Sequence, residues 1–194
     1  MLNNSKYHVA EGEIVNEQKA IEDAKANPAK FEALYNRYYE PILQFVYKRV
    51  EGKDAAFDIT SQVFLTAMVN IQNYKFMGLP FSSWLYRIAL NEINQLYRAD
   101  KIKRSIKVDE EELRYAMDEL KAGEEAETRY QQLAEALAEL PEEELQLVEL
   151  RFFEKRAFRE IGEILNITEN NSKVKLYRII DKMKKILTTS KISA

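Results

Sequence analysis

The chain has 194 residues, 46% of them apolar, a formal net charge of −3, one histidine (His8) and no cysteine. Absent cysteine excludes disulfides and thiolate zinc sites, and a lone histidine leaves a helical di-iron centre without its second Glu-x-x-His ligand, so no metal and no cofactor is expected. There is no Gly-rich phosphate loop and no Ser–His or Cys–His combination either, which argues against an enzyme. With 5 Gly and 4 Pro, the composition predicts an all-α protein of one or two domains.

The first residues, including Asn3, Asn4, Lys6, Glu11 and Glu13, hold no signal-peptide core, and no run of 18 apolar residues occurs, so a soluble, cytoplasmic protein without membrane insertion is expected. Residues 1–24 form an N-terminal extension that reads either as a helix packing on the next module or as a disordered arm. A first helical module is expected over residues 25–104. Phe31, Leu34, Tyr35, Tyr38, Ile42, Phe45 and Val46 fall on one side of a helix, with Pro41 as a kink or break. After Gly52 a second helix runs from Lys53 to Tyr74, with Ile59, Val63, Ala67, Ile71 and Tyr74 as its apolar face. Asn73 to Pro80 read as a loop of aromatics, a cation and two backbone breakers, and Ser82 or Ser83 is placed to cap the next helix. There Leu85, Ile88, Ala89, Ile93 and Leu96 face the core. Arg87, Asn91, Asn94 and Arg98 recur on the other side, a row suited to phosphates and base edges. Trp84 reads first as a buried anchor and second as a ring that stacks on DNA.

Charge is strongly segregated beyond this point. Arg98, Lys101, Lys103, Arg104 and Lys107 make a basic patch, and residues 105–130, with nine acids against four bases, read as an acidic linker. A second helical module is expected over residues 131–187, followed by a tail, 188–194. Pro141 suits a first helical position, with Glu142, Glu143 and Glu144 on the positive end of the helix dipole. Apolar residues recur at Leu145, Val148 and Phe152, break at Glu154 to Arg156, and resume at Phe158, Ile161 and Leu165. Asn166 suits a turn needing positive φ, and Thr168 is placed to cap the last helix.

In that helix Leu176, Ile179, Ile180, Met183 and Leu187 form a buried seam, while Asn171, Lys175, Arg178, Lys182 and Lys185 recur on another face. From Lys155 to Lys191 ten lysines and arginines oppose four acids. A basic helix alone is as readily a solvated face; preceded by a helix and a tight turn it points to a helix-turn-helix on duplex DNA. In the loop, Asn73, Tyr74, Lys75 and Phe76 suit a pocket for one unpaired base, the alternative being that Tyr74 and Phe76 close the core. A stand-alone regulator binding DNA as a dimer would account for residues 131–187 but leave the first module unidentified. A helical interaction protein with no DNA role is a third reading.

Asp58-Ile59-Thr60-Ser61-Gln62-Val63-Phe64-Leu65, then Phe81-Ser82-Ser83-Trp84-Leu85-Tyr86-Arg87-Ile88-Ala89 with Asn91, then Leu140-Pro141 and Arg159-Glu160-Ile161 to Arg178 resemble the extracytoplasmic-function sigma factors of bacterial RNA polymerase, in order and spacing, over residues 25 to 187. The resemblance implies two helical domains. One is like sigma domain 2, binding core polymerase through Asp58, Ser61 and Gln62 and the promoter minus-ten element through Asn91 and its neighbours. The other is like domain 4, reading the minus-thirty-five element through Asn170, Asn171, Lys173, Lys175 and Arg178. It also admits an anti-sigma partner. Ser61 and Gln62 stand where Gln and Glu are usual, Leu90 where Arg is frequent, and Ser172 where an apolar residue is common, which predicts looser packing at the start of the last helix.

Overall fold

The computed structural model describes residues 11–100 and 133–189, which fall in two separate compact units. The expected acidic linker, the basic residues Lys101 to Lys107, residues 1–10 and the expected tail beyond Thr189 lie outside the described residues. All regular structure among the described residues is helical, and none of these helices is long and apolar enough to cross a membrane.

The first unit contains α1 (Glu11–Ala26), α2 (Glu32–Tyr47), α3 (Lys53–Asn70) and α4 (Phe81–Asp100). Helix α1 crosses position 24, where the extension was expected to end, and buries Ile21 and Ala24 against the rest of the unit. It stops where the Asn27 side chain accepts from the Ala29 amide at 3.0 Å and Pro28 opens a short 3-10 turn, Pro28–Phe31. Helix α2 does not break at Pro41. Its buried seam of Leu34, Tyr38, Ile42, Phe45 and Val46 continues through the proline, and burial of these large side chains offsets a penalty of about 3 kcal/mol. Tyr35, expected on that seam, is exposed.

Helix α3 lies against both α2 and α4, burying Ala56, Thr60, Val63, Phe64 and Ala67 at helical spacing. The helix expected to reach Tyr74 ends at Asn70 and tightens into a 3-10 turn, Ile71–Asn73. Helix α4 starts at Phe81, so Ser82 and Ser83 are not its caps; both are buried within its first turn. The amide of Phe81 donates instead to the carboxylate of Glu17 at 2.6 Å, a partner 64 residues away.

The second unit contains α5 (residues 133–138), α6 (Glu142–Val148), α7 (Phe158–Leu165) and α8 (Glu169–Thr189). Pro141 precedes α6 as its cap rather than entering as its first residue, with φ −56° and ψ 148°, and its carbonyl oxygen accepts from the Glu144 and Leu145 amides at 2.9 Å. Three glutamates then occupy the first turn, where the helix dipole favours them. The helix widens to a π turn over Glu149–Phe153 and is capped by Glu154, after which Lys155 takes the left-handed conformation, φ 52°. Helices α7 and α8 pack on each other, and α8 also lies against α6.

Candidate nucleic-acid interface

The α7–α8 turn is built from local chemistry. Asn166 is left-handed at φ 55° and ψ 45°, as its position in the sequence suggested. The Thr168 hydroxyl accepts from the Asn171 amide at 3.1 Å, ending the turn and starting α8. Gly162 gives the turn its closeness: a β-carbon there would lie 2.7 Å from the Ile167 carbonyl oxygen. Ser172 does not loosen the packing. It is fully buried, its hydroxyl 2.6 Å from the Glu169 carbonyl oxygen and 3.2 Å from that of Phe158, so it fills the α7–α8 contact with a donor where both neighbours are acceptors.

Along α8, Leu176, Ile179 and Met183 are buried with Ser172, and Ile180 is half-buried; the side chain of Leu187, expected to close this seam, lies outside the described residues. Asn170, Asn171 and Arg178 are exposed, Lys173 and Lys175 half-buried. Lys173 pairs with Glu169 at 2.7 Å and Lys182 with Glu144 at 2.9 Å, and Lys184 and Lys185 are engaged as well. Among the described residues, Lys175 and Arg178 have no acidic partner, so their charge is available to phosphate. Arg156, one of the ten basic residues that the sequence places at this end, contributes nothing to the surface: it is 2% exposed and lies 3.9 Å from the buried carboxylate of Glu160, which caps α7 by accepting from the Ala157 amide at 3.0 Å.

At about 3.6 residues per turn, the line opposite the buried seam runs through Asn170, Val174, Tyr177 and Asp181, with Arg178 beside it. Val174 and Tyr177 are exposed, Tyr177 at 61%. Neither stands among the residues that the sequence was expected to turn toward DNA. Their signal was in the sequence: they fall half a turn from Ser172, Leu176 and Ile179. Asp181 on the same line is exposed and anionic, which makes this face less cationic there than the stretch around Lys175 and Arg178.

In the first unit Asn91 and Arg98 project into solvent from α4, and Arg87 and Asn94 are half-buried on the same side. Leu90, in place of the frequent arginine, is a core residue. The loop before α4 exposes Asn73 and Lys75 and half-buries Tyr74 and Phe76. Tyr74 packs in an aromatic cluster with Phe81 at 5.2 Å and the half-buried Trp84 at 4.9 Å between centroids. On α3, Asp58, Ser61 and Gln62 are all exposed. Around them Phe57, Leu65, Met68 and Val69 are exposed as well, Val69 at 67%, which makes one face of the helix apolar and exposed.

Residues 34–102 match the family described as sigma-70 region 2, and residues 130–183 that described as sigma-70, region 4; together they span more than half of the chain. The chain is similar to the ECF RNA polymerase sigma factor BldN of Streptomyces coelicolor, 26% identical over 86% of this chain and 64% of the relative, so it spans less than two thirds of that protein. It is also 27% identical to the ECF RNA polymerase sigma factor SigW of Bacillus subtilis, over 84% of this chain and 91% of the relative. The chain belongs to the extracytoplasmic-function sigma factors. A solved structure of CnrH in complex with the cytosolic domain of CnrY has the same fold, with a TM-score of 0.59 and 18% identity over 89% of this sigma factor and 97% of that chain. Sigma factors are promoter-recognising initiation factors for transcription and not enzymes, and this one is of that class. The match to region 2 also identifies the module that a stand-alone regulator would leave unexplained.

Proposed function

We propose that this sigma factor works in the cytoplasm, joining bacterial core RNA polymerase through the uncovered face of α3 and directing it to promoter DNA. The exposed apolar side chains Phe57, Leu65, Met68 and Val69, interleaved with Asp58, Ser61 and Gln62, carry this reading. Such a face stays wetted in the free chain and is desolvated on docking, with the polar three fixing register. Apolar contact also covers for the Ser and Gln that stand in place of the usual Gln and Glu. The same surface suits an anti-sigma partner, which would compete with polymerase for it.

On DNA the two units divide the work. Lys175 and Arg178 hold phosphates or base edges of the minus-thirty-five element, joined by Lys173 once DNA phosphate displaces its exposed Glu169 partner, while Asn170 and Asn171 face the groove at the start of α8. Arg87, Asn91, Asn94 and Arg98 lie along the minus-ten element on α4. Asn73, Tyr74, Lys75 and Phe76 receive one base of the opened strand, so that melting proceeds by capture of a base that has come unstacked. Run-off transcription with purified core polymerase on a random promoter library tests the whole reading. Enrichment of a two-element promoter is the expected result; absence of transcript with core-bound protein overturns it.

A further inference from the structure

The loop proposed to capture a base is held at both ends by a helix that belongs to neither DNA surface. At its start, the Gln72 side chain donates to the Lys25 carbonyl oxygen near the end of α1, at 2.7 Å. At its end, the Phe81 amide donates to Glu17 of the same helix, at 2.6 Å. Glu17 and Lys25 are eight residues apart, so α1 is a rod that spaces the two anchors by about 12 Å. A free segment from Gln72 to Phe81 could span about 30 Å, so this spacing selects compact loop conformations.

Glu17 is 1% exposed, and its second carboxylate oxygen accepts from the hydroxyl of Tyr38, whose ring packs on Phe81 at 6.0 Å. One carboxylate therefore fixes the backbone of Phe81 and a ring beside it. Phe81 in turn packs on Tyr74 and on Trp84. The path from Glu17 to the loop is a continuous set of buried or half-buried contacts. Removing the carboxylate would leave the Phe81 amide, in a fully buried residue, without its acceptor.

We propose that α1 is a brace for the minus-ten loop, with Glu17 and Gln72 as positioning residues that set Tyr74 for base capture. This rests on the capture reading proposed for the same loop. The test uses the full chain in holoenzyme with bacterial core polymerase and two fork-junction DNAs, one selected by the wild-type holoenzyme from a library with a single-stranded minus-ten segment, the other with that segment scrambled. Glu17→Ala is expected to lower affinity for the selected DNA about tenfold, and Gln72→Ala about threefold, leaving core binding and the scrambled DNA unchanged. Glu17→Gln, which keeps an oxygen for Phe81 and an amide for Tyr38, is expected to restore binding. Equal losses on both DNAs, or no loss in either alanine variant, would overturn the brace; if Glu17→Ala fails to fold, the exposed Gln72 decides alone. Tyr74→Ala, run in parallel, separates the two ideas. Silence at Tyr74 removes the capture reading, whereas loss at Tyr74 with silence at Glu17 and Gln72 removes the brace.

Discussion

The α-carbon of Gly162 faces the Ile167 carbonyl oxygen so closely that a β-carbon would stand 2.7 Å from it, inside any tolerated contact. The opposing atom is backbone in a turn whose Ile167 amide already donates to the Gly162 carbonyl at 2.9 Å, so neither side can give way cheaply. Gly162→Ala is expected to destabilise the second unit by about 1–3 kcal/mol and to weaken minus-thirty-five binding with it, as thermal unfolding of the full chain will report.

Cations on α8 differ in what they are free to do. Lys175→Ala and Arg178→Ala should each weaken holoenzyme binding to duplex minus-thirty-five DNA and flatten its dependence on log salt by about one unit. Lys182 is drawn toward Glu144, and Lys182→Ala should change that slope less. Titrations at three salt concentrations distinguish these outcomes; equal slopes for all three variants would contradict the assignment.

Val174 and Tyr177 are exposed on the line of α8 opposite its buried seam, the part that would lead into a groove if the helix docks on DNA as proposed. Alanine at either position is expected to alter which minus-thirty-five sequences are selected, with little effect on non-specific affinity, because an apolar contact to a base edge carries sequence information that a phosphate contact lacks. Selection from a randomised minus-thirty-five library with each variant holoenzyme checks this.

The α3 face should separate folding from assembly. Leu65→Asp and Val69→Asp replace exposed side chains, so the melting temperature should move little, within about 0.5 kcal/mol in stability. Affinity for core polymerase should fall at least about tenfold, since each places an uncompensated charge in a surface that must dry on docking. Core-binding assays and thermal melts on the same samples give both numbers.

Ser172 reverses an expectation. A serine at the start of α8 predicts looseness, yet its hydroxyl lies between two carbonyl oxygens in a site closed to solvent. Ser172→Ala is expected to cost about 1 kcal/mol, and Ser172→Leu more through overpacking; a stabilised leucine variant would show that the apolar residue was the better fit.

Such contrasts show where the sequence could be read. Asn166 and Thr168 were legible because each acts on backbone within three residues of itself, so residue type and position suffice. The seams of α2, α3 and α4 were legible in part by their period, but Tyr35 is exposed, Ile59 only half-buried, and Ala56, Thr60 and Phe64 join the α3 seam unannounced, because periodicity fixes a face less sharply than packing does. Ser82 and Ser83 misled, because a good local cap is displaced when a distant carboxylate reaches the same amide, and nothing near Phe81 names Glu17. Pro41 does not end α2, the break it was read as allowing, since tertiary burial along the helix outweighs a local breaker. Arg156 was counted by charge alone, although only the fold shows it buried beside Glu160. Asp58 was picked out by resemblance, Asn91 by resemblance and by its row of Arg and Asn, and Asn73 and Lys75 by the chemistry of their loop, and all four are exposed.

The bare stripe along α3 has a cost for any copy that has not found its enzyme. Water ordered over Phe57, Leu65, Met68 and Val69 is released by contact with almost any greasy surface, another copy included. A molecule that has not docked therefore carries its own drive toward association, and concentrating such molecules favours self-contact over solution.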